Sequence, residues 1–267
     1  MSTSPVLSPP VNLRDLGGTP VQGGTVRAGM LWRADDMSCV TEDWARQAVA
    51  DGLTHVVDLR SAAEAESTGR GPLGRLPVSY HHIPLVDTVG GAGGTDQDTL
   101  ARMAQADTDT VGRAYLDILR STAPAVVALL GLLSAATGAT VVHCAAGKDR
   151  TGVLVASILT ALGADAQTIV ADYGRTADNL QAIYGRMMAA HAVAADALSE
   201  GQASMMATLM STPVTELPPM LGADPRSMAA MLDAAQAEDG GLIEVLRGGG
   251  LTDNLIAALR RRLVVTD

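Results

Sequence analysis

The sequence predicts an α/β domain in which helices flank a central, mostly parallel sheet, with a helical extension at the C-terminal end. Up to about residue 175, short β-branched segments alternate with segments of helical periodicity, as expected for a sheet covered by helices. Hydrophobic residues make up 47% of the 267 residues, enough to fill the core of one domain. Beyond residue 175 no clear strand appears, and the sequence is Ala-rich and helical.

The first half of the chain contains three predicted strands and two predicted helices. The strands have β-type content bounded by turn residues, and they cover Gly24–Arg33, His55–Leu59 and Ser79–Leu85. One helix is capped by Thr41 and extends to about Ala50, and the other is capped by Ser61. Residues 88–110 are rich in Gly, Asp and Thr and predict a lid-like surface loop.

The second half contains one predicted strand, Ala139–His143, among helices. The helices are predicted at about 111–120, about 124–137, Thr151–Leu162, Ala164–Tyr173, about 225–237 and about 251–262. Eight of the twelve methionines lie between Met187 and Met231, where they either fill the core or belong to a mobile helical cover. We expect a single domain, 1–267, with a flexible arm at 1–10 and a helical lid or insertion at 177–222.

The charge of the chain excludes several classes of partner. The formal net charge is −10 and the isoelectric point is about 4.8, so we expect neither nucleic-acid binding nor docking on anionic membranes. Residues 121–147 carry no charged side chain, yet Gly138 and the following β-branched residues divide them into a helix and a strand. Each piece is shorter than the ~20 residues of a membrane span, so we expect no integral membrane segment.

The N-terminus predicts the location of the protein. It lacks the basic and apolar regions of a signal peptide, so we expect a soluble, cytoplasmic protein, with export by another route left open. The Ala-, Gly- and Val-rich composition suits a bacterium with a GC-rich genome. The oligomeric state does not follow from these features.

The segment with the most chemical information is VVHCAAGKDRTG, residues 141–152. Cys144 and Arg150 are separated by five residues, in a loop between a predicted strand and an apolar helix. Such a loop turns backbone N–H groups inward at a helix N-terminus and thereby forms an anion site. Ala145, Ala146 and Gly147 are small enough for close wrapping of the chain, and the Arg150 guanidinium matches two phosphate oxygens.

Cys144 lies at the base of this positively charged loop. The amides, the helix dipole and Arg150 would stabilise its thiolate, which could then attack phosphorus. Thr151 could donate a hydrogen bond to the sulfur and help it leave in a second step. These residues predict a cysteinyl-phosphate intermediate that water later hydrolyses.

Other interpretations of the same residues are less consistent with the sequence. A nucleotide-binding Walker A loop would need Gly at position 142 and Ser or Thr at position 149, where the chain has Val142 and Asp149. A metal site is not expected, because His143–Cys144 and His81–His82 are adjacent pairs whose side chains alternate between faces of an extended chain. The other cysteine, Cys39, lies outside any recognisable motif and is interpreted as a bystander thiol.

The loop HCAAGKDRTG is similar to the signature loop of the cysteine-dependent phosphatases, the protein tyrosine and dual-specificity superfamily. Four further segments resemble one bacterial branch, the atypical tyrosine/serine phosphatases: NLRDLGG at 12–18, LWRAD at 31–35, VVDLRS at 56–61 and VADY at 170–173. The resemblance covers almost the whole chain and is weakest at 88–110 and 175–222. It implies the cysteine-dependent phosphatase fold.

The resemblance also implies roles for the loop residues. Cys144 would be the nucleophile and Arg150 the phosphate clamp, without a metal or other cofactor. Phosphate would be bound within the loop, at Ala145, Ala146, Gly147, Lys148 and Thr151. Loops of the GKDR type also occur in phosphatases that accept phosphoinositides, and Lys148 fits a second negative charge. The family often has Tyr-Leu-x-Ser-Asn where this chain has Tyr173-Gly174-Arg175-Thr176-Ala177, which leaves lid geometry and substrate breadth open.

A general acid must protonate the leaving oxygen, because an alkoxide or phenolate is a poor leaving group. Asp149 in the loop is one candidate, and related loops with Asp here use it. Asp87, just after the strand ending at Leu85, is the alternative, because many superfamily members carry an acid on a separate loop. Asp58 and Arg60 are interpreted as an ion pair that orients loops, and Arg14 and Asp15 as structural.

The predicted function is that of a cysteine-dependent phosphate monoester hydrolase, a protein tyrosine/serine phosphatase. One alternative is a phosphoinositide phosphatase with the same mechanism, and a second is a non-catalytic phosphate-binding module. The preference among phosphotyrosine, phosphoserine or phosphothreonine, and phosphoinositide does not follow from the sequence.

Overall fold

Five strands form the central sheet of the computed structural model, which describes residues 6–85, 105–191 and 211–266. The strands lie in the order β1, β4, β7, β5, β6, and all neighbours are parallel except β1, which is antiparallel to β4. Their bounds are Arg14–Asp15 (β1), Leu31–Ala34 (β4), Leu53–Asp58 (β5), Ser79–His82 (β6) and Ala139–His143 (β7). The mostly parallel sheet predicted from the sequence is confirmed.

A second, three-stranded antiparallel sheet joins the two ends of the chain. It contains β2 (Pro20–Val21), β3 (Gly24–Val26) and β8 (Val264–Val265), in the order β2, β3, β8. The single strand expected at Gly24–Arg33 is therefore wrong. Gly29 has a φ of +73°, and this reversal separates β3 from β4, which belong to different sheets. The expectation of no strand beyond residue 175 is also wrong, because β8 pairs with β3.

Nine α-helices in the described part of the chain pack around the central sheet. They are α1 (Glu42–Ala50), α2 (Ala62–Thr68), α3 (Thr108–Ala135), α4 (Asp149–Leu162), α5 (Ala166–Gly174), α6 (Leu180–His191), α7 (Pro225–Asp239), α8 (Leu242–Gly248) and α9 (Asp253–Leu263). The larger apolar core includes side chains of α3, α4 and α7 to α9, and a smaller one lies under α1. Met228 and Met231 are fully buried in the larger core.

Helix α3 continues through Pro124 where two separate helices, 111–120 and 124–137, were expected. A proline removes one helical hydrogen bond, at a cost of about 3 kcal/mol. Both halves of α3 pack into the same core, on α4, α7, α8 and α9, and this shared packing offsets the loss. Among the described residues, α3 is the one helix long and apolar enough to cross a membrane, but its apolar side chains are core residues here.

Parts of two further predictions lie outside the described residues. These parts are residues 1–5 of the arm and residues 192–210 of the helical lid. Within the described part of the arm, the Ser8 amide donates to the Cys39 carbonyl over 3.0 Å, and Arg186 of α6 donates to the Ser8 hydroxyl. Ser8 is therefore bound to the body of the domain.

Candidate active site

The loop between β7 and α4 is short and tightly folded. Strand β7 is buried throughout, and α4 begins at Asp149, two residues earlier than predicted. Gly147 has a φ of +67°, and a Cβ atom at this position would lie 2.3 Å from the Ala34 carbonyl oxygen. Only glycine fits here, because L-residues disfavour positive φ and the backbone of β4 leaves no space.

Neighbouring segments hold this loop by its carbonyl groups. The side-chain amide of Asn12 donates to the carbonyl oxygens of Ala146 and Gly147 over 3.1 and 3.3 Å. Arg33 Nη2 also donates to the Gly147 carbonyl, over 2.7 Å. The Asp36 amide donates to the Ala145 carbonyl over 3.0 Å. Within the described residues, no protein acceptor is recorded for the N–H groups of residues 145–147. These amides are therefore available to an anion inside the loop.

Arg150 is buried and held by one carboxylate. Its two terminal nitrogens donate to Glu64 over 2.5 and 2.9 Å, a bidentate geometry that fixes the plane of the guanidinium. Burial lowers the pKa of Arg150, but the bonds to Glu64 and the charge of Cys144 raise it, and the net shift is upward. Burial raises the pKa of Glu64, but the hydrogen bonds and charge of Arg150, together with the hydrogen bonds to Ser61, lower it, and the net shift is downward. Arg150 therefore stays charged.

Glu64 also caps helix α2, a role that its sequence spacing could have indicated. Ser61 and Glu64 form a capping box, in which the Glu64 carboxylate accepts the Ser61 amide over 2.7 Å. The helix capped by Ser61 was predicted from the sequence, but no local signal connects Glu64 with Arg150, which is 86 residues away. The structure thus adds Glu64 to the candidate site.

The base of the loop contains buried polar atoms without partners. Cys144 is only 2% exposed. Within the described residues, the Thr151 hydroxyl and the Arg150 Nε have no hydrogen-bond partner. Buried donors without acceptors are costly, and a bound oxyanion would satisfy them. Cys144, Arg150 and Thr151 thus lie together between the end of β7 and the first turn of α4, and the roles expected for them stay predictions.

Asp149 and Lys148 face a buried polar cluster on α3, α5 and the segment before α7. Lys148 Nζ donates to Asp149 over 2.6 Å and to the Met220 carbonyl over 2.9 Å. Tyr115 donates to the same Asp149 oxygen, and the Tyr115 and Tyr173 hydroxyls are 2.8 Å apart. Burial, reinforced by the Asp149 charge, raises the pKa of Tyr115 well above its ordinary value, so its proton stays in place.

Two buried ion-pair networks connect the strands around the loop. Asp172 of α5 pairs with Arg14 of β1 and Arg33 of β4, and burial with the charge of Arg33 lowers the pKa of Arg14 to about 10. Arg60 pairs with Asp58 over 2.6 Å and with Asp36 over 3.1 Å. Asp58 and Arg60 form the ion pair predicted from the sequence, and Arg14 lies in the buried network around Asp172.

Two further residues, Asp87 and Cys39, were discussed from the sequence. Asp87 lies outside the described residues, as do residues 88–104 of the predicted surface loop. Cys39 is buried and free, and burial raises its pKa to about 11, so it remains a protonated thiol near neutral pH. The described part of the chain contains no group of three metal-ligating side chains.

The family profile and the three relatives that match this chain are all named as phosphatases. A family profile described as "Tyrosine phosphatase family" matches residues 6–265. The Mycobacterium tuberculosis "Triple specificity protein phosphatase PtpB" is 30% identical over 199 residues, which cover 66% of this chain and 70% of that protein. A putative tyrosine-protein phosphatase of Cupriavidus necator is 31% identical over 61% of this chain, and a tyrosine-protein phosphatase of Nostoc commune is 30% identical over 58%.

The aligned regions cover 59% and 51% of the lengths of the Cupriavidus and Nostoc proteins. A solved structure, P. aeruginosa TpbA in complex with phosphotyrosine, is 17% identical with a TM-score of 0.35, over 71% of this chain and 91% of that one. The family profile spans nearly all of the chain, including the loop from Cys144 to Arg150. The chain therefore belongs to the tyrosine phosphatase family.

Proposed function

We propose that the protein hydrolyses phosphate monoesters of phosphoproteins through a phosphorylated Cys144. The observation that supports this most strongly is the loop itself. A buried cysteine lies at the base of a loop whose amides at 145–147 have no acceptor within the described parts of the chain, beside a charged arginine that Glu64 holds in plane. A nucleophile, amide donors and a guanidinium fork together match the geometry and charge of a phosphoryl group.

The reaction proceeds in two displacements. The Cys144 thiolate attacks phosphorus and forms an S–P bond, while the P–O bond to the leaving group breaks and Asp149 supplies a proton to the departing oxygen. Water then attacks phosphorus, the S–P bond breaks, and the water proton returns to Asp149. The loop amides and Arg150 bind the equatorial oxygens throughout, and Thr151 donates a hydrogen bond to the leaving sulfur.

The position of Lys148 favours phosphoprotein over phosphoinositide substrates. Its side chain is only 3% exposed and its ammonium already donates to Asp149 and the Met220 carbonyl, so a second substrate phosphate would have to displace these bonds. The name of the Mycobacterium relative, "Triple specificity", still supports assaying more than one substrate class.

The Cys144 thiol favours an enzyme over the non-catalytic alternative, because a purely phosphate-binding module would not need it.

The proposal is tested by phosphate release from three substrates in EDTA: a phosphotyrosine peptide, a phosphoserine peptide and a phosphoinositide in detergent. We expect turnover of the phosphotyrosine peptide with the chelator present. Failure of the folded, reduced protein to turn over any of the three between pH 5 and 8 would contradict the catalytic proposal. Turnover of the phosphoinositide at a rate more than about tenfold higher would replace the phosphoprotein assignment.

The identity of the general acid is tested separately, with two variants and two leaving groups. We expect Asp149→Asn to reduce kcat for phenyl phosphate about 10²- to 10³-fold, the usual contribution of a general acid. The loss should be much smaller for an activated dinitrophenyl phosphate, because its leaving group needs no proton. Asp87→Asn is the matched control, and the same leaving-group pattern in that variant would instead identify Asp87 as the acid.

A further inference from the structure

A pocket of about 440 Å³ lies away from the signature loop, between the edge strand β1, its neighbour β4 and helix α1. Its lining includes Trp32 and Trp44, the two tryptophans of the chain, together with Asp15, Gln47 and Asp51. We call it the tryptophan pocket. None of these five residues belongs to the candidate active site.

The register of the sheet explains how these residues meet. Asp15 and Trp32 are direct partners in the antiparallel β1–β4 pair, so their side chains are neighbours on one face. Arg14 and Arg33 form the adjacent pair and point to the opposite face, where both bind Asp172. Alternate residues of β1 and β4 therefore face opposite sides of the sheet: Arg14 and Arg33 face the network beside the active-site loop, and Asp15 and Trp32 face the tryptophan pocket.

Helix α1 supplies the other wall of the pocket. Trp44, Gln47 and Asp51 are spaced at i, i+3 and i+7, which places them along one stripe of the helix. Ala48, also on this stripe, is buried and lines the pocket with them. The stripe therefore faces the pair formed by Asp15 and Trp32.

The two carboxylates of the pocket have no cationic partner among the described residues. Asp15 accepts the amides of Gly17 and Gly29 over 2.9 and 2.6 Å, and Asp51 accepts the Gln47 side-chain amide over 2.8 Å. Arg14 also contributes to the lining, but its guanidinium lies on the opposite face of β1, bound to Asn12 and Asp172. The pocket is thus acidic, in a chain whose net charge is −10.

We propose that the tryptophan pocket binds a guanidinium group. Indole rings attract organic cations, and the planar guanidinium both stacks on aromatic rings and pairs with carboxylates. The group could belong to a small guanidino compound or to an arginine side chain of a protein, and both sources present the same chemistry. The proposal does not depend on the catalytic role of Cys144.

Tryptophan fluorescence reports this binding directly, because both tryptophans of the chain line the pocket. The wild-type protein is titrated with N-acetyl-argininamide and with its neutral analogue N-acetyl-citrullinamide. We expect a saturable fluorescence change with the arginine compound and an affinity at least about fivefold lower for the citrulline compound, since only the first carries charge. Equal affinities, or no saturable change below about 10 mM, would overturn the proposal.

Two variants and one peptide complete the test. Asp51→Asn, at an exposed position after α1, should weaken binding of N-acetyl-argininamide about fivefold, whereas Asp43→Asn, an exposed acid of α1 outside the pocket, should leave it unchanged. Equal effects of the two variants would contradict a local role for Asp51. An arginine peptide that binds more than about tenfold tighter than the amide would identify a protein as the source, and equal binding would identify a small molecule.

Discussion

Replacing Cys144 with serine is expected to reduce kcat for an aryl phosphate by at least about 10⁴-fold, as for loss of the nucleophile in other covalent enzymes. A serine hydroxyl is a weak nucleophile near neutral pH unless a base is in contact with it, and none of the residues that the structure describes places such a base on Cys144. Binding of phosphate should change only a few-fold, because the amides at 145–147, Arg150 and Glu64 are untouched.

The intermediate provides the direct measurement for this prediction. Acid quenching of the wild-type protein during turnover of a ³²P-labelled substrate should leave label on Cys144, and Cys144→Ser should leave none. Cys39→Ser is the matched control, because Cys39 is the other free, buried cysteine of the chain and lies outside the loop. Labelled protein in Cys144→Ser, or loss of activity in Cys39→Ser alone, would refute the assignment of the nucleophile.

Arg150→Ala is expected to reduce kcat/KM about 10³- to 10⁵-fold, the range found for arginines that stabilise phosphoryl transfer. Two effects combine in this variant: the phosphate oxygens lose a bidentate donor, and Glu64 is left as an uncompensated charge beside the anion site. Arg150→Lys keeps the positive charge but not the planar fork, so it should recover only part of the loss. Steady-state kinetics of both variants measures the difference.

Glu64 and Arg120 supply the comparison variants. Glu64→Gln should preserve the helix cap, because an amide oxygen can still accept the Ser61 N–H, but it removes the charge that holds the guanidinium. We expect kcat/KM of Glu64→Gln to fall about tenfold. This loss is smaller than that of Arg150→Ala, because Glu64 acts through Arg150. Arg120→Lys, in a surface ion pair with Glu238 and Asp239, should leave kcat/KM unchanged.

Full activity of Arg150→Lys would contradict the prediction that catalysis needs the planar, bidentate guanidinium of Arg150.

The strand–loop–helix segment around Cys144 could be predicted from the sequence because its signals are local. A β-branched run, three small residues and an apolar helical stretch follow one another within residues 139–162. The same locality explains the capped helices at Thr41 and Ser61, both of which are present. Features of this kind depend only on neighbouring residues, so a single sequence is enough to predict them.

The errors came from features that depend on distant residues. Segment Gly24–Arg33 has uniform β-type content, and its division follows from pairing of β3 with β8, which lies some 240 residues later. Pro124 is a helix-breaking signal, yet packing on four other helices carries α3 through it. Nothing local shows that Glu64 reaches Arg150, or that Lys148 turns inward to Asp149 and the Met220 carbonyl.

The double use of one Glu64 oxygen has a consequence for local unfolding. Its Oε2 atom accepts both the Ser61 amide and Arg150 Nη1, so fraying of the first turn of α2 detaches from the backbone the carboxylate that holds the guanidinium. An anion that holds Arg150 in place therefore opposes opening of a seven-residue helix that buries no side chain of its own. Amide hydrogen exchange in α2 should slow when the loop is occupied, so exchange in this helix reports the occupancy of the anion site.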